Sequence, residues 1–165
     1  MKKNEEKTNV MRALDQKKIK YNSYYYFDTD AVSGEEIVAV LDEDPRRVFK
    51  TLVTVGASGA HYVFLVPVGR ELELKKAARA VGEKNIVMIK SKELLPLTGY
   101  IHGGCSPIGM KKQFRTTIDK SAEEYETIYF SAGRIGYQVE LSLDELRRIL
   151  RFELADVITE EKQIY

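Results

Sequence analysis

A chain of 165 residues, 44% hydrophobic and 31% charged, has enough apolar mass for one core and is not of disordered composition. Its charges nearly cancel, 26 Lys and Arg against 25 Asp and Glu, which excludes a generic polyanion binder and leaves a local basic patch for any nucleic-acid contact. A single cysteine excludes an internal disulfide framework and suits a reducing compartment.

The start, "MKKNEEKTNVMRALDQKK", carries both signs of charge and lacks the apolar core of a signal peptide. "TNVMRALDQKKI" places Val10, Met11 and Leu14 on one helical face, with Thr8 as its cap. "YNSYYYF" at 21–27 reads as an aromatic strand. "SGEEIVAVL" opens with Ser33 and Glu36 in capping-box spacing, so a short helix follows. Asp44-Pro45 begins another helical turn.

"KTLVTVGASGAHYVFLVPV" predicts two strands around a glycine turn. Its apolar run "YVFLVPV" at 62–68 is too short for a membrane helix. "ELELKKAARAVG" predicts a helix ended by Gly82, "NIVMI" a short buried strand, and "SKELLPLTG" a helical turn stopped at Pro96. "RTTID", "ETIYFS" and "YQVEL" are strand-like, and "SLDELRRIL" is a second capping-box helix from Ser142 and Glu145. Short strands interspersed with helices predict one α+β domain over 1–165, with a mixed, partly barrel-like sheet flanked by helices. A soluble, cytoplasmic protein without membrane attachment is expected.

Cys105, in "GGCSPIG" at 103–109, draws attention first. A nucleophilic cysteine needs a base and an orienting group, and His61 and His102 are the only histidines. Cys105 therefore reads as a partly buried loop thiol. His102 and Cys105 form an H-x-x-C pair, only half of a zinc site, so no metal is expected. Ser106 lacks a G-x-S-x-G elbow.

Lys50 in "RVFKTLVTV" has apolar neighbours on both sides. Either its stem lies on the core with the head in water, or the head emerges in a cleft and holds an anion. The loops "GGCSPIG" and "SAGRIGYQ" are either two tight turns or two walls of one pocket, presenting backbone N–H groups to a phosphate or an oxyanion. Lys111, Lys112, Phe114 and Arg115 follow the first loop, a cation cluster with an aromatic that suits a single-stranded nucleic-acid end. Lys75, Lys76 and Arg79 read as a solvated helix face.

Together "VFKTLV" at 48–53, "ELELKKAARAVG" at 71–82, "TGYIHGGCSPIGMKK" at 98–112 and "IYFSAGRIGYQVEL" at 128–141 resemble the YbaK/EbsC family of aminoacyl-tRNA deacylases, also called the prolyl-tRNA-synthetase-associated domain. The resemblance runs over about 8–158. It implies an editing hydrolase acting in trans on Cys-tRNA(Pro), and also on Cys-tRNA(Cys), with no cofactor and no metal. Its partners would be the aminoacylated 3′ end of tRNA and prolyl-tRNA synthetase. The family's mechanism lets the substrate's own thiol attack the ester, the enzyme supplying position and oxyanion support.

The family's functional lysine falls on Lys50, with a role on the phosphate or ribose of the tRNA end. Thr51 follows it as in the family, and the family's tyrosine falls on Tyr26 as a pocket wall. Gly103 and Gly104 match the backbone loop near the scissile ester, and Ser131 and Gly133 match the second loop. Three positions depart from the pattern: Gln138 stands where the family has an aspartate, Ser33 replaces a phenylalanine, and Cys105 replaces an aliphatic residue. The lost aspartate leaves open an alanine-selective deacylase, and a non-catalytic tRNA- or synthetase-binding module is the alternative from another class.

Overall fold

A computed structural model describes residues 6–160. The leading residues 1–5, part of the stretch read above as lacking a signal peptide, lie outside the described residues. Helix α1 spans Asn9–Gln16, with Thr8 Oγ1 accepting from Met11 N and with Val10, Met11 and Leu14 buried. Its cap and apolar face are those expected. Strand β1 is Asn22–Tyr25. Helix α2, Gly34–Leu41, starts from a complete capping box of Ser33 and Glu36, and a 3-10 turn over Pro45–Arg47 follows an Asp44 cap.

Strands β2, Phe49–Gly56, and β3, His61–Pro67, form an antiparallel hairpin. Helix α3, Leu74–Val81, begins later than its apolar pattern suggested. Glu73 caps it, and Leu72 is drawn instead into a bridge with Ile158. Strand β4, Ile86–Met88, buries only Ile86, so the expectation of a buried strand holds for one residue. Being an edge strand, it leaves Val87 and Met88 exposed.

Helix α4, Ser91–Thr98, runs through Pro96 rather than stopping there. Pro96 has no N–H to give to the carbonyl four residues back, so it costs one bond of the ladder without ending the helix. Gly99, with φ of 87°, makes the actual stop. Strands β5, Arg115–Asp119, β6, Ile128–Ser131, and β7, Tyr137–Leu141, lie where expected. Helix α5 covers only Leu143–Leu146. Ser142 caps it, but the Glu145 carboxylate accepts from Lys20 N at 2.7 Å instead of closing a capping box. Strand β8, Glu153–Ala155, was not anticipated.

The architecture is α+β, and the sheet is mixed. The strands do not close into a barrel. They form a three-stranded sheet ordered β1-β7-β6 and a five-stranded sheet ordered β4-β2-β3-β5-β8, where β5 runs parallel to both neighbours. Three-residue strands end the larger sheet on both sides, too short to curl round and pair. Among the described residues one bridge, Val48 to Tyr129, stitches the sheets together. The main core lies between them, around Leu14, Phe49, Leu65, Ile118, Phe130, Val139 and Leu146.

Every residue of β7 is buried, including two polar ones, Gln138 at 3% exposure and Glu140 at 9%. Buried polar side chains need partners, so this strand marks where the fold meets its chemistry.

Candidate active site

A cleft of about 270 Å³ opens where the start of β2, the N-terminus of α2, the first glycine loop and the ends of β6 and β7 converge. It is lined by Tyr26, Lys50, Thr51, Gly103, Ser131 and Gln138, together with His102, Cys105, Phe130 and Tyr137. Six of the eight residues given a site role from the resemblance thus meet on one surface, without Gly104 and Gly133. The volume is slightly below the ~300–1,000 Å³ usual for ligand clefts, room for a small group.

Register explains the convergence. On β7, Gln138 lies opposite Tyr24 of β1 on one side and Ser131 of β6 on the other, so these side chains share one face. Lys50 is the second residue of β2, reached directly from the bridge at Val48 that brings the sheets together. Its side chain is 28% exposed, and its nearest carboxylate, Glu71, is 3.9 Å away. Lys50 is thus among the residues that line the cleft.

The two glycine loops pack on each other. A methyl group on Gly104 would lie 3.1 Å from Ile135 N and 3.3 Å from Arg134 Cα, so a side chain there would push these backbones apart by a few tenths of an ångström. Gly104 is buried, and its N–H donates to Ile101 O at 3.0 Å. Gly103 lines the cleft with φ of 87°, and a side chain there would also meet Val32. The pair expected to act together is therefore split: Gly103 faces the cleft, and Gly104 forms the seam behind it.

The second loop divides likewise. Ser131 lines the cleft, while Gly133 borders a neighbouring groove and donates its N–H to Ser131 Oγ at 3.2 Å. That groove, about 440 Å³, is lined by Lys7, Arg12, Lys111 and Arg134, with Glu6 as its acidic residue. Its position behind the glycine loops gives a basic surface next to the cleft.

The other sequence candidates part company. Cys105 is buried, and burial pushes its thiol up to about 12 against a hydrogen bond from Thr98. Such a thiol is not a nucleophile at neutral pH. His102 lines the cleft mouth, whereas His61 lies at the opposite end of β3 from Val66, the partner of Lys50. Phe114 is buried beside His61, ring centres 5.6 Å apart, and Arg115 is paired with Glu153 at 2.8 Å. They do not form the aromatic and cationic platform expected after the first loop, because Phe114 is needed in the core. Among the described residues, no three His, Cys, Asp or Glu side chains converge as metal ligands.

Sequence reasoning missed the polar wall behind the cleft. Glu140 accepts from Tyr24 Oη at 2.6 Å, Asn22 Nδ2 at 3.2 Å and Arg47 Nη2 at 3.1 Å, and also from Thr127. Burial pushes its carboxyl up, but these donors hold it below the usual carboxylate range. Gln138 Nε2 donates to Glu43 Oε1 at 3.0 Å. Thr51 Oγ1 and Gln138 Oε1, both on residues of the cleft wall, are buried with no partner among the described residues. Burial also raises the Tyr26 hydroxyl, keeping it a neutral phenol.

Comparison with known proteins gives a consistent picture. The family model for the aminoacyl-tRNA editing domain matches residues 28–149. The "Putative Cys-tRNA(Pro)/Cys-tRNA(Cys) deacylase EbsC" of Enterococcus faecalis is 42% identical over 161 residues, 97% of this chain and 98% of that protein. The crystal structure of "a putative trans-editing enzyme for prolyl tRNA synthetase" superposes with a TM-score of 0.78 at 25% identity, over 92% of this chain and 95% of that one. The hypothetical protein APE2540 shares the fold at a TM-score of 0.84 and 20% identity, over 92% of this chain and all (100%) of that one. No described helix is long and apolar enough to cross a membrane.

Proposed function

The chain belongs to the aminoacyl-tRNA editing domain family, and from that premise we propose that it is a deacylase releasing cysteine in trans from Cys-tRNA(Pro), and from Cys-tRNA(Cys). The observation that carries this reading is the single small cleft shared by Lys50, Thr51, Tyr26, Gly103, Ser131 and Gln138. It holds one cation and unpartnered polar atoms, and its only thiol is inert. Such a site suits a reaction in which the nucleophile arrives with the substrate.

The chemistry follows from the cysteinyl ester. A free thiol has a pKa of about 8.5, so a few per cent is thiolate at neutral pH. Its sulfur attacks the ester carbonyl, and negative charge develops on the carbonyl oxygen. Collapse breaks the bond to the ribose oxygen, which takes up a proton, and the cysteinyl group leaves as a cyclic thiolactone. The enzyme's contribution is position and charge. Lys50 holds the terminal phosphate or ribose, and the Gly103 backbone and the Ser131 hydroxyl flank the developing oxyanion. Tyr26 and Thr51 shape the aminoacyl subsite. Gly104 and Gly133 act from behind by holding the loops in register.

The tRNA strand crosses the groove of Lys7, Arg12, Lys111 and Arg134, whose cations suit phosphates. Prolyl-tRNA synthetase is the natural supplier of the mischarged tRNA. It mistakes cysteine for proline because a pocket discriminates similar sizes by only about 1–3 kcal/mol. The whole chain acts as one editing domain in the cytoplasm, where tRNA is charged. The reading is tested by incubating the protein with Cys-tRNA(Pro) and Pro-tRNA(Pro): the first loses its amino acid and the second does not. Equal loss from both, or from neither, contradicts it.

A further inference from the structure

Glu43 lies in "LDEDP", between α2 and the turn at Pro45, where an acidic run reads as solvated surface. It is instead partly buried against β7. One carboxylate oxygen accepts from Gln138 Nε2 at 3.0 Å, while the other, Oε2, is buried without a partner among the described residues, as is Gln138 Oε1. Native proteins seldom leave two adjacent buried acceptors unmet, and a donor from outside is the natural remedy.

The surrounding charges say what kind of donor. Glu43 faces Glu140 on β7 and Arg47 in the 45–47 turn, with the phenols of Tyr24, Tyr26 and Tyr129 around it. Arg47 makes its contacts to Glu140 and Thr127. Two carboxylates thus share one cation, and that cation is spoken for. The wall behind Gln138 is one positive charge short; Gln138 lines the cleft, whereas Glu43 stands behind it and reaches the cleft only through the amide.

We propose that Glu43 is a specificity-determining positioning residue: it holds the Gln138 amide with Oε1 as acceptor and supplies the negative charge that recognises the α-ammonium of the aminoacyl group. This inference rests on the deacylase reading. Burial, helped by Glu140, pushes the Glu43 carboxyl up to about 7, against the hydrogen bond from Gln138 and the charge of Arg47. Below that pH a protonated Glu43 donates to the amide oxygen. The amide then turns its NH₂ toward the cleft, which repels an ammonium.

The test uses a tRNA(Pro) acceptor minihelix carrying alanine through a non-hydrolysable 3′-amide, compared with its N-acetyl counterpart. Alanine leaves no thiol to titrate. Wild type should bind the free amine about tenfold or more tightly than the acetylated probe near neutral pH. The preference should fade below about pH 7 and again above about pH 8, as the ammonium deprotonates. Glu43→Gln should lose the preference and its acid limb while binding the N-acetyl probe as wild type does. The exchange Glu43→Gln/Gln138→Glu should restore the preference. If Glu43→Gln keeps the preference, or loses affinity for both probes alike, the inference is overturned and the deacylase reading stands. If wild type binds neither probe, this inference is overturned, while the deacylase reading stands or falls on hydrolysis of Cys-tRNA(Pro).

Discussion

Lys50 Nζ stands 3.9 Å from Glu71 Oε1, the outer limit of an ion pair, and the Glu71 side chain is 83% exposed. Among the described residues no hydrogen bond holds this ammonium, although it projects from a strand flanked by core residues. A lysine placed on a rigid strand and left without a firm partner is poised for an anion that comes and goes. Lys50→Ala is expected to lower kcat/KM for Cys-tRNA(Pro) at least tenfold, about 1.4 kcal/mol in transition-state binding. Glu71→Gln should change it less than about twofold, since an exposed pair at this distance contributes little. Steady-state deacylation of both variants checks the contrast.

The buried thiol of Cys105 leads to the opposite expectation. Raised to about 12 by burial, it is a packing group in the cleft wall. Cys105→Ala should retain deacylase activity within about threefold, with a modest loss of thermal stability from the shortened side chain. An inactive variant with an unchanged circular dichroism spectrum would show that the enzyme's own sulfur takes part.

Glu43 also makes a prediction about stability. Its carboxyl is raised from 4.5 to about 7 by burial. A group whose folded pKa is raised contributes stability that is fully present below the unfolded pKa and is lost as pH rises through the folded one. Between about pH 4.5 and 7, wild type should therefore lose stability relative to Glu43→Gln. Discounted for partial exposure, the change in the difference between pH 5 and pH 8 should be on the order of 1 kcal/mol. Urea unfolding of both proteins at the two pH values measures it, and a pH-independent difference would mean that Glu43 keeps an ordinary pKa.

The basic groove beside the cleft predicts a salt-dependent role. Lys111→Glu and Arg134→Glu should weaken binding of uncharged tRNA and flatten the dependence of affinity on salt, each lost phosphate contact removing about 0.7–0.9 from the logarithmic slope. Hydrolysis of a short aminoacyl-adenosine, which does not reach the groove, should be unchanged. Equal losses on both substrates would place these residues in the cleft chemistry instead.

Much of this fold was legible because its signals are local. Thr8, Ser33 and Ser142 cap the helices that their spacing announces, and the apolar runs of β2 and β3 flank an evident turn. Non-local pairing was not legible. Strand β8 exists because Glu153–Ala155 finds β5, and nothing in its own three residues says so. The division into two sheets likewise depends on edges that only the assembled chain defines.

The site shows the same boundary. Lys50, Tyr26, Gly103 and Ser131 carry a motif resemblance and do meet in the cleft. Gly103 and Gly104 look alike in sequence, and only the contact with Ile135 N separates the cleft-facing glycine from the structural one. Glu43 was invisible because an acid among acids reads as surface. Its burial comes from Gln138, 95 positions away.

In the proposed reaction the nucleophile belongs to the substrate. This is tested most directly by comparing deacylation of Cys-tRNA(Pro) and Ser-tRNA(Pro) under the same conditions, since the two side chains differ only in sulfur for oxygen. At neutral pH a hydroxyl has essentially no anion, whereas a few per cent of the thiol is ionised. Cys-tRNA(Pro) should be hydrolysed at least about a hundredfold faster, with the difference residing in kcat. Equal rates for the two substrates would contradict it.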